Sequence, residues 1–240
     1  MNITKFTKAA RKALPLKKCG AVIVAAGSAS RMGGIDKVMA TLGGEPMIQR
    51  TVRAFQECDA VSEIVIVTRE DLILPITDIC KAFPKVTAVA AGGKSRQESV
   101  NKGLSALSKE VKLAAIHDGA RPLISWQLID WVIRAANTYG AAAPAIPVKD
   151  TIKTVEGFIV VNTPDRSKLR AVQTPQVFDI DLLKGALLKA YQDGAEVTDD
   201  CSAVERLGMK IKIVEGDEMN LKVTTPMDLK IAEMLLEEMK

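Results

Sequence analysis

Three short stretches combine residue types that suit chemistry on phosphorylated molecules. The first is Ala25-Ala26-Gly27-Ser28-Ala29-Ser30-Arg31-Met32-Gly33-Gly34, followed by Asp36 and Lys37. Its small residues let backbone N–H groups approach a phosphate closely, and Arg31 and Lys37 bring charge to phosphoryl oxygens. The second is Gly92-Gly93-Lys94-Ser95-Arg96-Gln97-Glu98-Ser99-Val100, where exposed amides and Ser99 can face a ligand at a helix start. Ser95 reads equally well there as a plain helix cap. The third is His117-Asp118-Gly119-Ala120-Arg121-Pro122. Asp118 can orient a hydroxyl or help hold a divalent metal, and Arg121 can grip phosphate with two parallel bonds. A local Asp–Arg ion pair is the simpler reading of the same two residues. His117 ends an apolar run, so a packed, neutral histidine is favoured over a catalytic base.

Two familiar phosphate loops are excluded. Ala29 and Met32 stand where the dinucleotide fingerprint needs its second and third glycines. The Gly-Lys-Ser of the second stretch is not a P-loop, because Ala88 occupies the required earlier glycine position. Weaker candidates follow: Lys149-Asp150-Thr151, Asp165-Arg166, Gln173-Thr174-Pro175-Gln176, Val197-Thr198-Asp199-Asp200 and Asn220-Leu221-Lys222-Val223-Thr224. Thr198 reads as a helix N-cap, and Thr225-Pro226 as a helix start with proline at its first position.

These stretches need elements to hold them. Apolar runs at 21–26, 63–68, 86–91 and 112–117 read as strands, and amphipathic stretches at 46–58, 72–83, 97–107 and 126–139 as helices. Pro75 must lie in the first turn of its helix or break it. Four strand-then-helix units call for a Rossmann-like, mostly parallel α/β sheet covered by helices on both faces. Continuous apolar strands fit such double cover. Ligands then bind beyond the carboxyl ends of the strands, where all three stretches fall. After Gly140 the rhythm breaks. Short β-like pieces at 141–148, 151–155, 158–162 and 169–174 read as a small antiparallel excursion or arm. Helices at 180–192, 199–207 and 226–239, with a strand at 210–214, complete one domain over 1–240.

Composition narrows the functions. The chain has 240 residues, with 33 Lys plus Arg against 29 Asp plus Glu, a formal net charge of +4. That suits a phosphorylated small molecule and does not argue for nucleic acid. Aromatics are only 4%, too few for base-stacking platforms. No apolar run is long enough to cross a membrane. Residues 1–18 form a basic lead-in without the features of a signal peptide. The four cysteines are scattered, with a single histidine, so reduced thiols in a cytoplasmic protein are expected and a structural zinc site is not.

Taken in order, AAGSASRM with Lys37, GGKSRQESV, HDGARP, KDTIK, Asp165-Arg166, QTPQ, VTDD and NLKVTTPMDL are a specific set. From about Gly20 to the C-terminus the chain resembles the 2-C-methyl-D-erythritol 4-phosphate cytidylyltransferase family of the non-mevalonate isoprenoid pathway. The resemblance implies transfer of CMP from CTP to the sugar phosphate, with release of pyrophosphate and dependence on Mg²⁺. It implies that Ala25, Ala26, Gly27, Gly92, Gly93, Ser99, Asp118 and Lys222 bind CTP. Arg31 and Lys37 then stabilise charge on the α-phosphate. Asp118, Arg121, Thr151, Arg166, Thr174, Thr198 and Lys222 position the acceptor, and Asp118 is the one candidate metal ligand, the ion being held mainly by CTP phosphates. It also implies a homodimer, in which an arm over about 148–171 embraces a second copy and Arg166 acts across the interface.

The chemistry of the residues agrees. The attacking phosphate monoester is already largely dianionic at neutral pH, so no general base is needed. The difficulty is bringing anions together, and Arg31, Lys37, Arg121, Arg166 and Lys222 supply cations for it. Three positions depart from the family's usual residues: Ala29 for glycine, Asp36 for proline and Glu45 for lysine. Three other readings fit the residues less well. A cytidylyltransferase for another polyol phosphate, such as ribitol 5-phosphate, is disfavoured by Ala120 ahead of Arg121, where that group carries a bulkier residue. A nucleotide-sensing module without catalysis is disfavoured by the retained cations, and a nicotinamide oxidoreductase by the failed fingerprint.

Overall fold

The apolar runs lie side by side at the centre of one sheet. The computed structural model describes residues 15–27 and 37–238. Arg31, Ala29, Asp36 and most of the basic lead-in lie outside the described residues. In chain order, β1 (Cys19–Ala25) is followed by a short hairpin, β2 (Thr41–Leu42) and β3 (Glu45–Pro46), then α1 (Met47–Glu57) and β4 (Val61–Thr68). Next come α2 (Ile73–Cys80), β5 (Val86–Ala91), α3 (Arg96–Ala106), β6 (Leu113–Asp118), α4 (Trp126–Tyr139) and β7 (Ala141–Pro147). The chain continues through β8 (Thr154–Glu156), β9 (Ile159–Asn162), β10 (Arg170–Val172), β11 (Gln176–Asp179) and α5 (Ile180–Gln192). It ends with α6 (Asp200–Glu205), β12 (Lys212–Glu215) and α7 (Pro226–Glu238).

β5, β4, β1 and β6 are neighbours and all parallel. Their register aligns the carboxyl ends: Val24 lies opposite Asp118, Ala25 opposite Thr68, and Thr68 opposite Ala91. The loops that follow are the three stretches singled out from the sequence. Successive residues of β1 face opposite ways, and both faces are dry. Ala21 and Ile23 pack with Ile48, Val52 and Phe55 of α1 and with Ile129 and Val132 of α4. Val22 packs on the other side with Val100 and Leu104 of α3 and Leu183 and Leu187 of α5. Burying such a side chain is worth roughly 1.5–3 kcal/mol, so these two layers fix the strand order that aligns the loops.

Local signals set the helix ends. The Ser95 side chain accepts from the Glu98 amide to cap α3, and Ser125 caps α4 through Leu128. α4 stops at Gly140, whose φ of 82° is left-handed and costs a glycine little. Pro75 sits in the first turn of α2, where its missing N–H does no harm. Pro226 opens α7 as expected.

Two expectations are corrected here. The pieces at 141–148 and 169–174 are not part of an excursion, because β7 is a buried strand of the main sheet and β10, at the expected end of the arm, pairs with it. Ala142 pairs with both Val177 and Lys212, so β11 and β12 occupy opposite edges of β7. β10 and β11 run antiparallel along one edge, with the cis Thr174-Pro175 peptide between them. β11 also pairs with β6, which joins the two halves of the sheet. The helix cap is also shifted by one residue: Asp199, not Thr198, caps α6 through a reciprocal pair of bonds with Ser202. Thr198 is exposed in the bend before it.

The arm itself is the β8–β9 hairpin with its flanks, and all of its strand residues are exposed. Ala232 and Leu236 of α7 cluster with Leu42 of the β2–β3 hairpin, Met47 at the start of α1, and Val223. Among the described residues no helix is long and apolar enough to cross a membrane.

Candidate active site

The site grows from the end of β6. There Asp118 leaves the sheet with only 13% of its side chain exposed. A buried carboxylate needs partners, and three cations surround this one. Lys222 Nζ lies 2.7 Å from one oxygen, and Arg121 Nε 3.9 Å from the same oxygen. Arg96 lies 3.8 Å from the other oxygen. Burial alone would raise the pKa of Asp118, but Lys222, Arg96 and Arg121 outweigh it and hold the group down at about 2. Asp118 is therefore ionised throughout the physiological range.

Arg121 is held by its neighbours and still has capacity to bind. One terminal nitrogen donates to the Asn220 carbonyl at 2.6 Å. Its buried Nε has no hydrogen-bond partner among the described residues. Nε is closed to solvent and faces the Asp118 carboxylate, so only the 12% of the side chain that stays exposed can meet an anionic ligand. The Asn220 loop is pinned in turn. Asn220 Nδ2 donates to the Thr174 carbonyl at 2.9 Å, and Gln173 Nε2 donates to the Asp217 carbonyl at 2.7 Å. The Val223 amide donates to the Ala120 carbonyl. This network sets Lys222 over Asp118.

Thr174 closes the other side. The Asp118 amide donates to Thr174 Oγ1 at 3.1 Å, and the same oxygen lies 3.0 Å from His117 Nδ1. His117 is fully buried against the Phe55 ring, and burial drives its pKa down to about 3. The packed, neutral reading holds, so His117 does not serve as a general base at neutral pH.

The first and second loops meet at the same edge. A Cβ added at Gly92 would come within 2.5 Å of the Ala26 Cβ, so only glycine permits this approach. The Gly92 amide donates to the Thr68 carbonyl at 2.7 Å. The Ser99 hydroxyl turns inward: it accepts from the Gly93 amide and donates to the Ser95 carbonyl. Ser99 thus shapes the Gly92-Gly93 turn. Lys37 is close to the first loop, since a Cβ built on Gly27 would lie 4.0 Å from its Nζ.

Arg96, read from sequence only as part of a loop, is a structural hub. It donates to Asp200 at 2.7 Å and reaches toward Asp118, tying α3 to α6 and β6. Burial and the nearby Asp118 and Asp199 carboxylates push Asp200 upward against the pull of Arg96. Gln176 completes the brace, donating to Asp199 and accepting from the Cys201 amide. The sequence signal for these was the company they keep, in GGKSRQESV, QTPQ and VTDD.

Thr151 and Arg166 are elsewhere. Both are exposed at the base of the arm, and Arg166 donates to the Lys149 carbonyl at 2.5 Å. Among the described contacts none joins them to the Asp118 cluster. Glu45, a departure from the family's usual residue, is occupied structurally: both of its oxygens accept from Arg53, at 2.5 and 2.6 Å.

Residues 19–238 match the family model for IspD, 2-C-methyl-D-erythritol 4-phosphate cytidylyltransferase. The chain belongs to this family. The match spans all of the residues discussed above, Arg31 included. Among relatives, a 2-C-methyl-D-erythritol 4-phosphate cytidylyltransferase of Caldanaerobacter subterraneus is 43% identical over 225 residues, covering 90% of this chain and 97% of its own. The corresponding Symbiobacterium thermophilum protein is 46% identical over 220 residues, covering 90% and 92%. A crystal structure of 4-diphosphocytidyl-2C-methyl-D-erythritol synthase from Anaerococcus prevotii superposes with a TM-score of 0.84. It is 31% identical and covers 92% of this chain and 96% of that one. Membership of the family makes the chain a nucleotidyltransferase of α/β architecture.

Magnesium, which the resemblance implies, needs oxygen ligands among these residues. Among the described residues no three His, Cys, Asp or Glu converge to hold a metal alone. Asp118 is a single ionised carboxylate within a ring of cations. Lys222, Arg96 and Arg121 already counter its charge, so Asp118 fits Mg²⁺ only as one ligand to an ion that nucleotide phosphates bring and mainly hold.

Proposed function

We propose that the protein transfers CMP from CTP to 2-C-methyl-D-erythritol 4-phosphate, giving 4-diphosphocytidyl-2-C-methyl-D-erythritol and pyrophosphate. The observation that carries this is the Asp118 cluster, where Lys222, Arg121, Arg96 and Thr174 converge at the carboxyl end of β6 in a member of this family. An oxygen of the acceptor's phosphate monoester forms the new bond to the α-phosphorus. The bond from that phosphorus to the β-phosphate oxygen breaks, and pyrophosphate leaves with its electron pair.

The chain's own residues bring the anions together. Ala25, Ala26, Gly27, Gly92 and Gly93 line the nucleotide side, with Ser99 shaping their turn. Lys37 and Arg31 neutralise charge that builds on the α-phosphate, and Lys222 serves both substrates. Arg121, Thr174 and Thr198 hold the acceptor. Asp118 would hold Mg²⁺ that comes with CTP, and the bound ion offsets phosphate charge. No residue needs to take a proton.

Thr151 and Arg166 complete the acceptor side from a second copy. Support comes from the arm: Phe158, Ile159, Val160 and Val161 are each at least half exposed, an apolar tip that a partner subunit would cover. The working form is a cytoplasmic homodimer that uses neither nucleic acid nor membrane. The test is pyrophosphate release from CTP and Mg²⁺ with and without 2-C-methyl-D-erythritol 4-phosphate. Release that requires this acceptor is expected. Release that requires ribitol 5-phosphate instead would replace the acceptor.

A further inference from the structure

His117 is fully buried and is left without a task by the proposed reaction. Its two ring nitrogens have different neighbours. Nδ1 lies 3.0 Å from Thr174 Oγ1, and Nε2 lies 3.4 Å from the Arg121 carbonyl oxygen. The Thr174 hydroxyl has one proton and two lone pairs. One lone pair already receives the Asp118 amide.

Donor counting then decides the tautomer. A carbonyl oxygen can only accept, so a proton must sit on Nε2 to satisfy the contact with Arg121. With Nδ1 protonated instead, the Nε2 lone pair would face the carbonyl lone pairs in a buried place, at a cost. Protonation of both nitrogens would put an uncompensated charge against Phe55, with no carboxylate touching either nitrogen among the described residues. The neighbouring charges are Asp118, Arg121 and Lys222. The ring is therefore neutral, with Nε2 protonated and Nδ1 bare. Bare Nδ1 accepts the Thr174 proton.

We infer that His117 is a positioning residue that fixes the polarity of Thr174, leaving that hydroxyl only a lone pair to offer the site. Thr174 can then accept a hydrogen bond from a substrate hydroxyl and cannot donate one. The substrate class is a phosphate ester bearing a free hydroxyl at that point. A carbonyl or ether oxygen placed there would meet a second acceptor and be rejected. This rests on the reading that Thr174 faces the acceptor, and it deepens that reading.

The chain has one histidine, so a long-range proton–nitrogen NMR correlation on the whole protein with ¹⁵N-labelled histidine gives one unambiguous pattern. We expect Nε2 protonated and Nδ1 unprotonated, with the Nδ1 resonance moving in Thr174→Val as its donor is lost. An Nδ1-protonated pattern would overturn the inference. In kinetics, His117→Phe should raise the acceptor KM roughly tenfold, the worth of one such bond, with the CTP KM unchanged. Adding Thr174→Val should multiply that rise by less than it does in the otherwise wild-type protein, because the bond to Nδ1 is already gone. Independent, multiplying effects, or an equal rise in the CTP KM, would overturn it. Should Thr174→Val leave the acceptor KM unchanged while the tautomer is as expected, Thr174 does not face the acceptor. The inference then falls with that assignment. The wild-type spectrum stands as a test even if His117→Phe fails to fold.

Discussion

The Asp118 cluster and the base of the arm hold the two halves of one proposed site in opposite ways. Around Asp118 each group is fixed by others: Arg96 by Asp200, Arg121 by the Asn220 carbonyl, and Thr174 by the Asp118 amide and His117. At the arm, Thr151 and Arg166 are exposed, and Arg166 is steadied by the Lys149 carbonyl. The difference teaches where each half acquires its order. The first is organised by the fold of a single chain, through burial that makes every unpaired charge costly. The second has no such enclosure, and its apolar hairpin tip points to order supplied by a second copy.

The largest effect should come from the preorganised half. Lys37→Ala should lower kcat by ~10²–10³ with the melting temperature little changed, as for loss of one charge-stabilising group in a transition state. Steady-state kinetics beside a thermal melt check this, and near-normal turnover would remove Lys37 from the chemistry. Arg166→Ala should act differently. It should raise the acceptor KM about 10- to 100-fold, the worth of a charged hydrogen bond, and spare the CTP KM. A rise in both would blur the division between the halves.

Acid should weaken the first half and not the second. The unfolded chain takes up a proton on His117 near 6.5 that the folded chain refuses until about 3. Stability therefore falls as pH drops through that window, by about 2 kcal/mol between pH 7 and 5 from this residue. Asp118 acts in the same direction lower down, since its pKa is held below the ordinary 3.8. Denaturant titrations at both pH values should show the loss, and His117→Phe should flatten it between pH 7 and 5. An unchanged slope would mean that His117 is not neutral and buried. The smallest effect is on assembly. Phe158→Asp should weaken the proposed dimer about tenfold, by placing a charge in the exposed apolar tip that a second copy would cover. Sedimentation at several concentrations would show it, and an unaltered dimer would place the interface elsewhere.

The sequence carried the fold best where strands are buried on both faces. The runs at 21–26, 63–68, 86–91 and 112–117 correspond to β1, β4, β5 and β6 because continuous apolar residues have no other stable place. It carried least after Gly140. The alanine-rich β7 has small side chains that look weakly hydrophobic, yet it is closed on both edges. β11 has four residues between a proline and a helix, too few for a pattern. The three loops were legible because their residue types are unusual together. Arg96, Gln173, Gln176 and Asn220 stood in candidate stretches but had no role of their own there, because each acts through partners far along the chain, as in the Arg96–Asp200 bond. Thr198 and Asp199 are both good caps, and only the backbone decides between neighbours.

The central claim is that one active site draws on two chains. Mixing Lys37→Ala with Arg166→Ala protein, after subunit exchange and at limiting acceptor, tests it directly. A mixed dimer then has one site with intact Lys37 from one chain and intact Arg166 from the other. The account predicts recovery to about a quarter of wild-type turnover, since half the dimers are mixed and each carries one intact site. Activity no greater than the average of the two separate variants would contradict it and place Arg166 with the Asp118 cluster of its own chain.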